Sequence, residues 1–154
     1  MNHPRPRQSP HHLVRRAFTF AFVIAIGLFY AHIHALFLIA TSLSAADLWL
    51  TQHLSHEAAG RTIILLVFVL LFVVHILEAA VWGAYLRHKR LSATLIEGIY
   101  FSATSITGLG YGDVVLPSPW RLLGPVITIT GLLMFGCSAA FLFLVLQKVW
   151  AQLL

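Results

Sequence analysis

Residues 17–41 form a run of 25 residues without one formally charged side chain. Crossing the hydrocarbon core of a bilayer takes about 20 apolar residues in a helix. Two further runs, 62–86 and 120–152, are long and apolar enough to do the same. Inside a bilayer every backbone N–H and C=O must be paired within the protein, which leaves helices and closed barrels as spanning structures. Composition points the same way. Hydrophobic residues make up 59% of the 154 and charged residues 10%, against about a quarter charged in soluble domains. The expected fold class is an all-α membrane protein.

Around these runs the chain divides as follows. Residues 1–16 are rich in Pro, Arg and His and predict a flexible basic arm. His11 and His12 lack a third ligand there and read as solvated side chains. The apolar run 17–41 exceeds the roughly 7–15 residues of a signal-peptide core, so it predicts a retained N-terminal transmembrane helix. Residues 42–61 are more polar and predict a connecting loop. Within it Asp47–Leu54 is expected as a short interfacial helix with Leu48, Trp49, Leu50 and Leu54 in the headgroup zone. Residues 62–86 predict a second spanning helix, with Trp82 and Tyr85 marking the membrane interface. A basic turn, 87–91, follows.

Residues 92–106 then predict a short helix, with Thr94 and Glu97 spaced as a capping box. The twelve residues from Leu95 to Ile106 span about 18 Å at 1.5 Å per residue, too short to cross. The last helix is expected from Trp120 to Gln152, bent by Pro125 in its second turn. Gly131 and Gly136 are candidate bend points or close-packing positions. The single cysteine, Cys137, lies in an apolar run and reads as packing. The net charge of +5 sits mostly outside the apolar runs. In a membrane protein it speaks for lipid contact and topology, not nucleic-acid binding.

Ionisable groups inside spanning segments are costly and normally face protein or water. His75 and Glu78 lie three apart on one helix face and can pair. They read either as a proton-sensitive or pore-supporting site, or as a polar pair joining two helices. His32 and His34 are two apart and point in different directions on a helix. Facing His75, they would suit a histidine-ligated membrane haem or redox protein, the alternative from a different class.

Between the second and last helices lies Thr104-Ser105-Ile106-Thr107-Gly108-Leu109-Gly110-Tyr111-Gly112-Asp113. The stretch resembles the selectivity filter of the potassium-channel superfamily, Thr-Val/Ile-Gly-Tyr-Gly-Asp. Leu109, Gly110, Tyr111, Gly112 and Asp113 match, and Thr107 matches the threonine often found before the motif. Gly108 stands where the family has a threonine. Tyr100-Phe101-Ser102 upstream, and Trp120 to Gly124 and Gly136 to Phe143 downstream, extend the resemblance over about Ile64 to Lys148. The whole is similar to small bacterial potassium-channel-like proteins with one added N-terminal transmembrane helix.

The resemblance implies a pore domain over 62–154: outer helix 62–86, pore helix 92–106, filter 107–113 and inner helix 120–152. It implies a homotetramer in the cell membrane in which carbonyls of residues 107–112 replace the hydration shell of a permeant K+. Leu109 and Tyr111 would pack behind the filter, and Asp113 would anchor it or draw cations to its mouth. No cofactor is expected beyond the permeant ion. With glycine at 108 the innermost site loses a hydroxyl, which implies a weaker site and lower selectivity for K+ over Na+. The nearest alternative is a weakly selective cation channel of the same fold.

No nucleophile–base pair or phosphate loop points to an enzyme, and no arginine ladder points to a voltage sensor. A chain ending at Leu154 predicts a pore without an attached ligand-sensing domain. The charges conflict with this topology. With the filter mouth outside and two crossings before it, Arg5, Arg7, Arg15, Arg16, Arg87, Lys89, Arg90 and Arg121 lie outside, and Arg61 and Lys148 inside. The positive-inside rule asks for the reverse. Either the rule fails here, or residues 17–50 form a hairpin or lie at the interface. A filter match many residues deep outweighs a statistical rule.

Overall fold

The computed structural model describes residues 10–153. Its elements are α1 (Pro10–His53), α2 (His56–His88), α3 (Leu95–Ile106), a 3₁₀ turn (Trp120–Leu122) and α4 (Leu123–Leu153). Three of them contain stretches long and apolar enough to cross a membrane, and α3 is the short apolar helix between the last two.

The expected loop over 42–61 is helix instead. α1 continues to His53, and only Leu54 and Ser55 separate it from α2. Residues 42–53 contain no glycine or proline to stop it. Leu50 is buried against α2, so packing carries the helix through the polar stretch. Asp47–Leu54 is therefore not a separate interfacial helix: Leu48, Trp49 and Leu54 are exposed and Leu50 is core. The stop is Ser55, whose side chain accepts the Ala58 N–H at 3.3 Å and caps α2. Residues 10–16 of the expected arm are the first turns of α1. Residues 1–9 and the side chains of His11 and His12 lie outside the described residues. At 1.5 Å per residue α1 is roughly 66 Å long, beyond the ~40–45 Å of a bilayer with its headgroups.

α1 and α2 pack antiparallel and α4 closes the bundle. One apolar cluster joins Ala21 and Ala25 of α1 to Ala79, Trp82, Tyr85 and Leu86 of α2 and Leu123 and Ile127 of α4. A second joins Leu36, Ile39 and Leu50 to Ala59, Ile63, Val67 and Leu71 and to Val145 and Val149, with Cys137 packed alongside. Trp82 and Tyr85 are thus core residues of the bundle. Trp82 is fully buried and sits edge-on to Tyr85 at 6.0 Å. Many outward side chains are large and apolar, including Phe20, Phe22, Phe37, Phe68, Phe72 and Leu144, a surface suited to lipid.

The 3₁₀ turn delays the start of α4, which places Pro125 in the helix's first turn and not its second. Amide hydrogens there have no intrahelical acceptor, so the proline breaks no bond. α4 is unbroken through Gly131 and Gly136. Gly131 is a close-packing position: a Cβ there would stand 2.6 Å from the Cα and the carbonyl oxygen of Ile106 in α3. A Cβ at Gly136 meets nothing within 4 Å. α3 touches α2 just as closely, since a Cβ at Gly98 would lie 2.7 Å from the Gly83 carbonyl oxygen.

Gly131→Ala should destabilise the chain, because backbone cannot yield as a flexible side chain can, at a cost of about 1–3 kcal/mol. Gly27→Ala makes the same chemical change on α1 into open space and should be neutral or stabilising by up to about 1 kcal/mol. Thermal unfolding of the two variants in detergent compares them directly.

Candidate functional site

The short helix α3 is capped at both ends. Thr94 Oγ1 accepts the Glu97 N–H at 3.0 Å, and Glu97 Oε2 accepts the Ala93 N–H at 2.7 Å, one residue before the cap itself. At the other end Thr107 is the C-cap, and its hydroxyl donates to Ala103 O at 2.9 Å. Gly108 follows with φ +72°, its N–H donating to Ser105 O at 3.0 Å. A left-handed residue just past the last turn is a common way for a helix to stop, and glycine takes it without strain. The Gly110 N–H reaches back to Thr104 O at 3.1 Å, so two residues of the loop are tied to the end of α3.

Positive φ recurs at alternate positions: +72° at Gly108, +51° at Gly110 and +78° at Gly112. Among the described residues Arg90 alone of the non-glycines has positive φ, so Leu109 and Tyr111 do not. Alternating the sign of φ turns successive carbonyls toward one side of the strand instead of opposite sides. A threonine at 108 would be strained there, because a β-branched residue at positive φ is a genuine outlier. The glycine that looked like a lost hydroxyl is also the residue this backbone requires.

Leu109 and Tyr111 are 59% and 66% exposed, so the same chain leaves most of each side chain uncovered. The loop borders a cavity of about 460 Å³ whose walls include Phe101, Tyr111, Arg121 and Thr128. Asp113 is held by α3. The Tyr100 hydroxyl donates to its Oδ2 at 2.6 Å, and its Oδ1 accepts the Val114 N–H at 2.9 Å. The Tyr100 contact holds the exposed Asp113 carboxyl below its ordinary value and pushes the Tyr100 phenol up.

A second site lies where the three long helices cross, between the two apolar clusters. Glu78 Oε1 stands 2.7 Å from His32 Nδ1, and its Oε2 2.8 Å from His75 Nδ1. Ser138 Oγ of α4 lies 3.2 Å from both His75 Nε2 and His32 Nε2. His32, Glu78 and Ser138 are buried and His75 nearly so. Phe135 stacks on the His75 ring at 3.9 Å. The expected His75–Glu78 pair is present, but it is half of a larger set. His32 and Ser138 complete it, and both lie on buried stripes of their helices: Ala21, Ala25, His32, Leu36, Ile39 on α1 and Ile127, Met134, Ser138, Val145, Val149 on α4. That i, i+4, i+7 spacing is the signal in the sequence that separates His32 from His34, which is exposed and stacked on Tyr30.

His32, His75 and Glu78 bring one donor atom each within 4.8 Å of one another, the closeness of a metal triad. Each imidazole Nδ1 is also at hydrogen-bond distance from its own carboxylate oxygen, so the three groups are already paired with one another. The rings are also close together. His32 and His75 are 5.3 Å apart, with Glu78 bridging them and Phe135 against His75.

Three helices of spanning length, with a capped short helix and a glycine loop between the last two, define a pore-loop membrane protein. A family model described as "Ion channel" matches residues 62–148, more than half of the chain. The chain therefore belongs to this two-transmembrane ion channel family and is a multi-pass membrane protein. No curated protein and no solved structure matches it. α1 lies outside the matched residues.

Asp113 titrates with a depressed folded value, so the contact with Tyr100 contributes above the unfolded pKa and is lost as pH falls through the folded one. In Tyr100→Phe the Asp113 carboxyl should titrate nearer the ordinary carboxylate value. Side-chain NMR titration of Asp113 in detergent reads the shift, and an unmoved titration would remove Tyr100 from this role.

Proposed function

We propose that the chain is one subunit of a homotetrameric channel that conducts potassium through the carbonyls of residues 107–112. The observation that carries this reading is the alternation of left-handed glycines at 108, 110 and 112 directly after the C-terminus of α3. Carbonyls turned to one side are the ligands a dehydrated monovalent cation needs. The negative end of the α3 dipole favours a cation below them. Leu109, Tyr111 and Val115 are large, apolar and uncovered in one chain, and neighbouring copies around an axis would cover them. Asp113, latched by Tyr100, anchors the mouth. Gly136, with open space at its Cα, is the position where the inner helix can bend, while Gly131 fastens it to α3. Thr107 spends its hydroxyl on α3 and contributes its carbonyl alone.

Gly108 also favours a second reading, a weakly selective cation channel. The innermost site has a carbonyl and no hydroxyl, which holds K+ less well against Na+. Parallel K+ and Na+ flux into liposomes separates the two readings. Gly110→Ala puts a Cβ on a left-handed residue at about 1–2 kcal/mol per subunit and should abolish flux; a conducting Gly110→Ala would overturn the carbonyl filter.

The fold removes one escape from the charge conflict. α1 is a single helix antiparallel to α2, not a hairpin, so Arg15, Arg16, Arg87, Lys89, Arg90 and Arg121 share the filter-mouth side. We place that side outside the cell membrane, on the strength of the filter. In a Cys137→Ala background, an impermeant thiol reagent added outside should label Val115→Cys and not Leu54→Cys, and the reverse pattern would invert the topology.

A further inference from the structure

We infer that His32, Glu78, His75 and Ser138 form a proton-binding site, a closed ring of hydrogen bonds that fastens α1 to the inner helix α4 when it holds one extra proton. The ring has four links: His32 Nδ1 to Glu78 Oε1, Glu78 Oε2 to His75 Nδ1, His75 Nε2 to Ser138 Oγ, and Ser138 Oγ to His32 Nε2. Each link needs one proton. A carboxylate brings none, two neutral imidazoles bring one each, and a hydroxyl brings one. That makes three protons for four links. A fourth closes the ring, and it does so whether it rests on an imidazole or on the carboxyl. The closed ring carries no net charge, since the added proton cancels the carboxylate.

Without that proton two acceptors face each other at one link, and a net negative charge remains among three apolar helices. Both changes are unfavourable where water is excluded. The groups facing the ring are few. α1 supplies His32, α2 supplies His75 and Glu78, and α4 supplies Ser138 and the stacked Phe135. α3 turns Ala103 and Ile106 toward the adjoining apolar groove. The other ion pairs among the described residues, Arg61–Glu57 and Lys148–Asp47, lie toward the opposite end of the bundle. A divalent metal in place of the proton would leave the site with a net positive charge and push the close N···O pairs apart.

The ring gives α1, the element outside the family match, a defined task. Its His32 completes a site that α2 and α4 cannot close alone. Proton concentration then sets how firmly α1 holds the inner helix: closed at lower pH, opened as pH rises and the fourth proton leaves.

The test reads the fold of the full-length chain and not ion flow, so it succeeds or fails separately from the channel reading. Glu78→Gln carries the fourth proton covalently, on its amide, and keeps the ring closed as pH rises. Thermal unfolding in detergent, followed from about pH 5 to about pH 9, should show the parent losing ground to Glu78→Gln as pH rises. The loss should reach at least about 2–4 °C, the shift that one net hydrogen bond produces in a chain of this size. Ser138→Ala opens the ring for good, so the parent's advantage over it should shrink across the same range, a second reading that stands if Glu78→Gln folds poorly. Parallel profiles for the parent and both variants would overturn the proposal. So would a rise in the parent's unfolding temperature with stoichiometric Zn2+ that Glu78→Gln does not share, which would make the site a metal site.

Discussion

The constraint on which the rest depends is that hydrocarbon offers no hydrogen bonds. Glu78 is a carboxyl group within a spanning helix, and its partners must come from the protein. They come from His75 three residues away and from His32 on another helix, with Ser138 closing the far side. Each polar side chain sits on the stripe its helix turns inward, with an apolar cluster on either side along the bundle axis. The helices can meet in this register and few others, because sliding one past another by a turn would leave a carboxylate or an imidazole facing Leu or Ala. A small polar set specifies the alignment of three long helices whose apolar surfaces alone would pack in many registers.

The pore loop meets the same constraint in another way. A short helix and an irregular strand at membrane depth have backbone groups that no lipid can satisfy. Thr94 and Glu97 take up amides at one end of α3, and Thr107, Gly108 and Gly110 use its carbonyls at the other. The glycines then do two things at once. They let the backbone turn back on the helix, and their left-handed φ at alternate positions is what the proposed carbonyl filter calls for. Close approach of α3 to α2 at Gly83 and Gly98, and to α4 at Gly131, holds this short element between two spanning helices with no room for drift.

Much of this was legible from residues. The apolar runs gave the spanning helices, the Thr94–Glu97 spacing gave the start of α3, and the His75–Glu78 spacing gave half of the polar ring. The misreadings have a common physical origin. Polarity over 42–61 suggested a loop, but polarity outside a membrane is no bar to a helix, and glycine and proline, the residues that stop one, are absent over 42–53. Trp82 and Tyr85 have the residue types usual at an interface, and their sequence positions do not reveal the tertiary contacts that bury them in the bundle. Pro125 was counted from Trp120, and three residues of 3₁₀ turn moved it to a harmless place. His32 needed a contact 46 residues distant in sequence, which no local pattern contains. The one local clue, its place on the α1 stripe, identifies burial and not a partner.

The two-residue break at Leu54 and Ser55 has a consequence for how the chain enters a membrane. α1 and α2 are joined too tightly to choose their directions separately, so they insert as one hairpin with both basic ends on the same face. Orientation is then a single decision made by the pair as it leaves the translocation machinery. The exposed Arg61 and Glu57, linked to each other beside the turn, make the tip of that hairpin nearly neutral. With the basic ends outside, that tip is the end left on the inner side, and its balanced charge gives the hairpin little positive-inside pull against the orientation that the filter asks for.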